Sequence, residues 1–75
     1  MATLVDLQPG ESGRVQSIEG EDALAVRLLE MGLTPGVSVE LVGRAVWGDP
    51  LEFRLRGYSL SLRKAEASRV VIEPM

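Results

Sequence analysis

Two periodicities divide the chain. Between Gly20 and Gly32 apolar residues recur at helical spacing. Leu24, Leu28 and Met31 fall on one stripe at about 100° per residue, Ala25 and Leu29 flank it, and Arg27 and Glu30 lie off it. Glu21 and Asp22 precede the run, where a helix dipole favours negative charge. The stop is double. Gly32 fits the left-handed position just past the last turn, with Leu33 folding back on Leu28. "LTPGV" then puts Pro35 second and Gly36 third in a type II turn. This pattern predicts a helix ended at Gly32, fastened by Leu33, and a chain redirected into a strand near Val37.

Elsewhere the period is two. Val37, Val39 and Leu41 share a face, with Ser38 and Glu40 opposite. "WGDP" is turn chemistry. Leu51, Phe53 and Leu55 then alternate with Glu52, Arg54 and Arg56, and after Gly57 the inward set is Tyr58, Leu60 and Leu62. A two-residue turn at Arg56-Gly57 pairs Leu55 with Tyr58, Phe53 with Leu60 and Leu51 with Leu62, which keeps the apolar sets on one face. "KAEAS" allows one helical turn, and "RVVIEP" is a last strand ending at Pro74. A first strand is expected near Gly13 to Ile18, preceded by "LQPGES", which echoes "LTPGVS" at Leu33 to Ser38. The expected architecture is mainly β: a small five-stranded barrel with one α-helix between strands 1 and 2 and a short helical turn before the last strand. The helix position favours an SH3-like barrel over an OB-fold, whose helix would usually lie between strands 3 and 4.

The chain has 75 residues, enough for one domain spanning 1–75, and 45% of them are apolar. It contains no cysteine and no histidine, so disulfides, the usual zinc ligand sets and Cys–His or Ser–His nucleophile pairs are excluded. There is no Gly-rich phosphate loop and no Asp-x-Asp-x-Asp-Gly calcium spacing. No catalytic residue, cofactor or metal site is expected. The formal net charge of −3 argues against a nucleic-acid surface. No apolar run approaches the ~18 residues of a membrane span, and "MATLVDLQPG" lacks the charged and apolar regions of a signal peptide. The expected location is cytoplasmic, without direct membrane insertion.

The run "RLLEMGLTPG" resembles the signature of the FeoA family, small proteins associated with bacterial ferrous-iron transport. "GDPLEFRLRGYSLSLRKAEASRVVIE" is similar to the second half of that family, and "DLQPGESGRV" resembles its first strand. The likeness covers nearly the whole chain. Trp47 departs from it, standing where a smaller apolar residue would be expected. The resemblance implies an SH3-like barrel acting without catalysis as an accessory to FeoB, a membrane GTPase and ferrous-iron permease, which would recruit it to the inner face of the membrane. The same domain type resembles the C-terminal module of iron-dependent repressors, so an alternative is a module docking on a metalloregulator. A third reading is a small RNA-binding barrel, supported by Arg54, Arg56 and Arg63 as a stripe on one outer strand face and opposed by the acidic total and the few aromatics. Weak self-association is compatible with each.

Candidate contact residues follow, each with an ordinary alternative. Val46 and Trp47 lie in a turn-rich loop; tryptophans are enriched as interface anchors, or this one folds over the barrel end and closes the core. Val26 lies opposite Leu24 and Leu28 and is either a partner contact or an ordinary exposed apolar residue. Arg54, Arg56 and Arg63 meet an acidic surface, or pair with Glu52 and its neighbours. Gly32, Leu33, Pro35, Gly36 and Gly57 are read as structural.

Overall fold

The computed structural model describes residues 1–75. Strands β1 (Ala2–Thr3), β2 (Ser12–Ile18), β3 (Ser38–Arg44), β4 (Leu51–Leu55), β5 (Tyr58–Leu62) and β6 (Val70–Pro74) form one antiparallel sheet in the order β1-β6-β2-β3-β4-β5. Helix α1 (Ala23–Glu30) joins β2 to β3, and the single turn α2 (Lys64–Ala67) joins β5 to β6. The five strands read from the alternation are all present. A sixth, β1, pairs Ala2 with Ile72 and Thr3 with Val71 and leads into a 3-10 turn, Leu4–Asp6, that buries Leu4. Bulges between Val15 and Ser17 and between Leu41 and Gly43 bend β2 and β3, the local device by which a sheet curls around its own core. That core is wholly apolar and is built around Phe53, with Leu4, Leu28, Leu33, Leu41, Leu51 and Leu62 among its members.

The echoed Pro-Gly phrases have one structural meaning. Each closes a tight turn: the Glu11 N–H donates to the Gln8 carbonyl at 2.9 Å, and the Val37 N–H to the Thr34 carbonyl at 3.1 Å. Gly10 (φ +91°) and Gly36 (φ +94°) supply the left-handed third position. The Gly10 N–H then donates to the Leu41 carbonyl and the Gly36 N–H to the Val15 carbonyl, both at 2.8 Å. Leu7 to Val15 and Leu33 to Leu41 therefore occupy equivalent places about a local two-fold axis through the β2–β3 pair.

Asp22 caps α1, its carboxylate accepting the Ala25 N–H at 3.3 Å. At the other end the Gly32 N–H donates to the Leu29 carbonyl at 3.0 Å and the Leu33 N–H to the Leu28 carbonyl at 3.3 Å, with Gly32 at φ +105°. This is the Schellman pattern, and its hydrophobic partners, Leu28 and Leu33, are both fully buried. The helix is rotated from the expected stripe. Ala25 and Leu28 face the core, while Leu24 and Met31 lie at its margins and are half-buried.

The β4–β5 hairpin has the register that the alternation required, from Leu55↔Tyr58 to Leu51↔Leu62. Arg56 (φ +49°) and Gly57 (φ +83°) both take positive φ, as a two-residue hairpin turn demands. Tyr58 departs from the expected inward position. Its ring is half-exposed and its hydroxyl donates to the Met31 carbonyl, so it latches the helix end rather than filling the core. A phenol at the rim keeps its hydroxyl paired in this way, which full burial would not provide.

Candidate functional site

The β3–β4 connection carries Val46 and Trp47, and it is tightly tied. The Ala45 N–H donates to the Pro50 carbonyl at 3.0 Å, and the Gly48 N–H to the Ala45 carbonyl at 2.7 Å. From outside the loop, the Lys64 N–H donates to the Asp49 carboxylate at 3.0 Å, fixing the loop to the start of α2. Val46 and Trp47 occupy the two central positions of the Ala45–Gly48 turn and are 91% and 90% exposed. Trp47 does not close the core; Phe53 and the leucines around it fill that space without it. Two large apolar side chains are thus held in water on a bonded turn.

A second apolar feature lies on α1. Val26 is 52% exposed, and Leu29, one turn further on and on the same side, is 40% exposed. The Arg27 guanidinium bonds Glu66 at 3.0 Å beside this face and ties α1 to α2. Glu66 also accepts the Arg63 N–H at 2.8 Å, so both of its oxygens are engaged.

The three arginines read as one stripe are dispersed. Arg54 lies on β4 between Glu40 of β3 and Ser59 of β5. Arg56 sits in the hairpin turn, whereas Arg63 lies past the far end of β5 at the start of α2. Five residues of strand, about 13–17 Å, separate those ends. An RNA-stacking surface gains nothing from this arrangement, because neither aromatics nor a continuous row of cations lies along it.

Arg69 was not singled out by the sequence pattern. Its Nε donates to the Glu19 carbonyl at 2.8 Å, its guanidinium also bonds Asp22, and Glu19 returns an N–H to the Arg69 carbonyl at 2.7 Å. The β2–α1 connection is therefore clamped by the last strand's lead-in. The hydrogen bond from Arg69, followed by that from the Ala25 N–H, holds the Asp22 carboxyl below its ordinary pKa. A carboxyl depressed in the folded state stabilises fully above its unfolded pKa of about 3.9 and loses that contribution as pH falls through the folded value. Acid titration of the unfolding midpoint should accordingly show a drop below about pH 4, and Arg69→Gln should flatten it. An unchanged acid limb in that variant would show that the pair has no energetic role.

Leu29 and Val42 are exposed apolar residues that the sequence reading did not pick out. Gly43 was the available signal for Val42, since a glycine inside a strand pattern marks a bulge. No helix is long and apolar enough to cross a membrane.

The FeoA domain model matches residues 2–74. A curated relative, the Fe(2+) transport protein A/Fe(2+) transporter FeoB fusion protein of Porphyromonas gingivalis, is 31% identical over 70 residues. That match covers 93% of this chain but only 8% of the relative. A FeoA from Stenotrophomonas maltophilia, crystallised with zinc and described as a prokaryotic SH3 domain protein, is 35% identical with a TM-score of 0.86, covering 97% of this chain and 91% of that one. A manganese-dependent transcriptional repressor shares the fold alone: 14% identity and a TM-score of 0.88, over 99% of this chain and 36% of the repressor.

Proposed function

From its membership of the FeoA family of ferrous-iron transport, to which this SH3-like barrel belongs, we propose that the chain is a non-catalytic accessory that binds the cytoplasmic part of a FeoB-type membrane GTPase and ferrous-iron permease. One observation supports this most directly. In the Porphyromonas gingivalis relative, a segment similar to this chain shares a polypeptide with FeoB. Fusion keeps two partners at a high effective concentration, which suits a contact of moderate intrinsic affinity.

The Val46–Trp47 tip is the proposed anchor of that contact. The bonded turn orders in advance the backbone that presents the ring, and burial of that ring in a partner pocket outweighs exposed charge pairs, which give ~1 kcal/mol or less. Val26 and Leu29 on α1 offer a secondary apolar contact. The cytoplasm, at the inner face of the membrane, is the corresponding location. The experiment is affinity capture with the tagged chain from solubilised membranes of cells expressing a FeoB-type permease. Retention of the permease supports the reading, and an eluate containing a metalloregulator or RNA instead would replace it.

Iron is cargo in this reading. With neither cysteine nor histidine in the chain, Fe²⁺ or Zn²⁺ added anaerobically to the isolated protein is expected to give no one-to-one submicromolar isotherm in calorimetry. A stoichiometric tight isotherm would require a site built from carboxylates.

A further inference from the structure

We propose that the free edge of β5 receives an extended acidic peptide segment as an added strand. β5 pairs with β4 alone and ends the sheet; away from β4, its Tyr58 hydroxyl bonds the Met31 carbonyl at the end of α1. In a two-residue hairpin the residues flanking the turn form a hydrogen-bonded pair, and such pairs alternate from there. Tyr58, Leu60 and Leu62 therefore bond to β4, while Ser59 and Ser61 turn their N–H and C=O groups outward. Both serines are exposed. The edge carries none of the usual protections: "YSLSL" has no charge, no proline and no glycine, and no bulge interrupts its pairing.

Charge identifies the occupant. Arg56 stands at one end of this edge, Arg63 and Lys64 at the other, and Arg54 lies beside Ser59 on the adjacent strand. Of the acids nearby, Glu66 is engaged by Arg27 and the Arg63 N–H, Asp49 accepts the Lys64 N–H, and Glu52 lies on β4 opposite Ser61 as Arg54 lies opposite Ser59, so the cations Arg54, Arg56, Arg63 and Lys64 keep the excess. The same charges disfavour a second copy. Two β5 strands paired antiparallel about Leu60 would set Arg56 of each against Lys64 of the other. A peptide with carboxylates near both ends meets cations at both. Arg56 adds an independent sign. It is the one non-glycine residue at positive φ, in a turn position that asparagine, aspartate or glycine would take at less strain. The cation at this end therefore stands at some backbone cost. The recognition uses main-chain groups on β5 rather than the apolar side chains of the Val46–Trp47 tip, whose loop adjoins the Lys64 end of this edge through Asp49.

The test uses the whole chain labelled with ¹⁵N and a capped heptapeptide of alternating threonine and glutamate, with its lysine counterpart as control. Addition of the glutamate peptide should slow hydrogen exchange at the Ser59 and Ser61 amides, while the lysine peptide leaves them unchanged. Ser61→Pro deletes an outward N–H without touching the β4 ladder and should abolish binding. Arg56→Asp suits the turn, keeps the fold and should weaken binding about tenfold at low salt. Equal binding of both peptides, undiminished binding by Arg56→Asp, or protection elsewhere than β5 overturns the proposal. So does concentration-dependent self-association that slows the same two amides without peptide.

Discussion

Gly32→Val is expected to remove most of the domain's stability and to leave a measurable unfolded fraction in water at room temperature. Gly32 sits at φ +105°, where a Cβ costs about 1–2 kcal/mol. The structure adds a second charge against any side chain: a Cβ at Gly32 would run into the Tyr58 hydroxyl, which is held in place by the Met31 carbonyl. Displacing that hydroxyl forfeits a hydrogen bond worth about 1 kcal/mol. A β-branched residue there should therefore cost about 3 kcal/mol, against a net stability of about 3–5 kcal/mol for a core of this size. Asparagine tolerates left-handed backbone but keeps the Cβ, so Gly32→Asn should fall between wild type and valine. The contact with Tyr58 is separable. Gly32→Ala should cost less in a Tyr58→Phe background than in the wild type, because the obstructing oxygen is gone. Urea titrations of these variants measure each difference, and equal tolerance of Val, Ala and Asn would reject both the cap and the latch.

Phe53→Ala should be as damaging. Phe53 is fully buried, is the largest side chain of the core and pairs across the hairpin with Leu60. Truncating a buried phenylalanine costs about 3–5 kcal/mol, comparable to the entire stability of a domain this small. Trp47→Ala removes a larger ring and should change the unfolding free energy by no more than about 0.5 kcal/mol, because Trp47 is 90% exposed. The two truncations contrast the core with the presented surface. A large destabilisation by Trp47→Ala would mean that the ring folds onto the barrel in solution.

What could be read from the chain follows from the range of each interaction. The helix stop was legible because Gly32, Pro35 and Gly36 encode backbone geometry locally, and the hairpin register because only one turn at Arg56-Gly57 keeps Leu51, Phe53 and Leu55 on the side of Leu60 and Leu62. β1 was not, since two residues show no alternation and its strand character comes from pairing with β6 at the far end of the sequence. Tyr58 kept the inward parity of its strand, but the strand end projects past the core, beneath the helix terminus, which alternation does not encode. The candidate site was half legible. Composition marked Trp47 as unusual without saying which way it pointed. The loop that carries it is bonded through Asp49 to Lys64, a contact between separate segments. The arginines read as a stripe by parity are separated because Arg56 lies in the turn and Arg63 lies beyond the strand. The Arg69 clamp on Glu19 and Asp22 joins distant parts of the chain and leaves no local mark.

The central claim is that the chain docks on a FeoB-type permease through the Val46–Trp47 tip. The direct measurement is the dissociation constant for the detergent-solubilised permease, determined for the wild type and for Trp47→Ala after matching their urea midpoints. An anchor residue costs about 2 kcal/mol or more on truncation, so the variant should bind about 30-fold more weakly or worse with its fold intact. Equal affinities in two equally stable proteins would contradict the account.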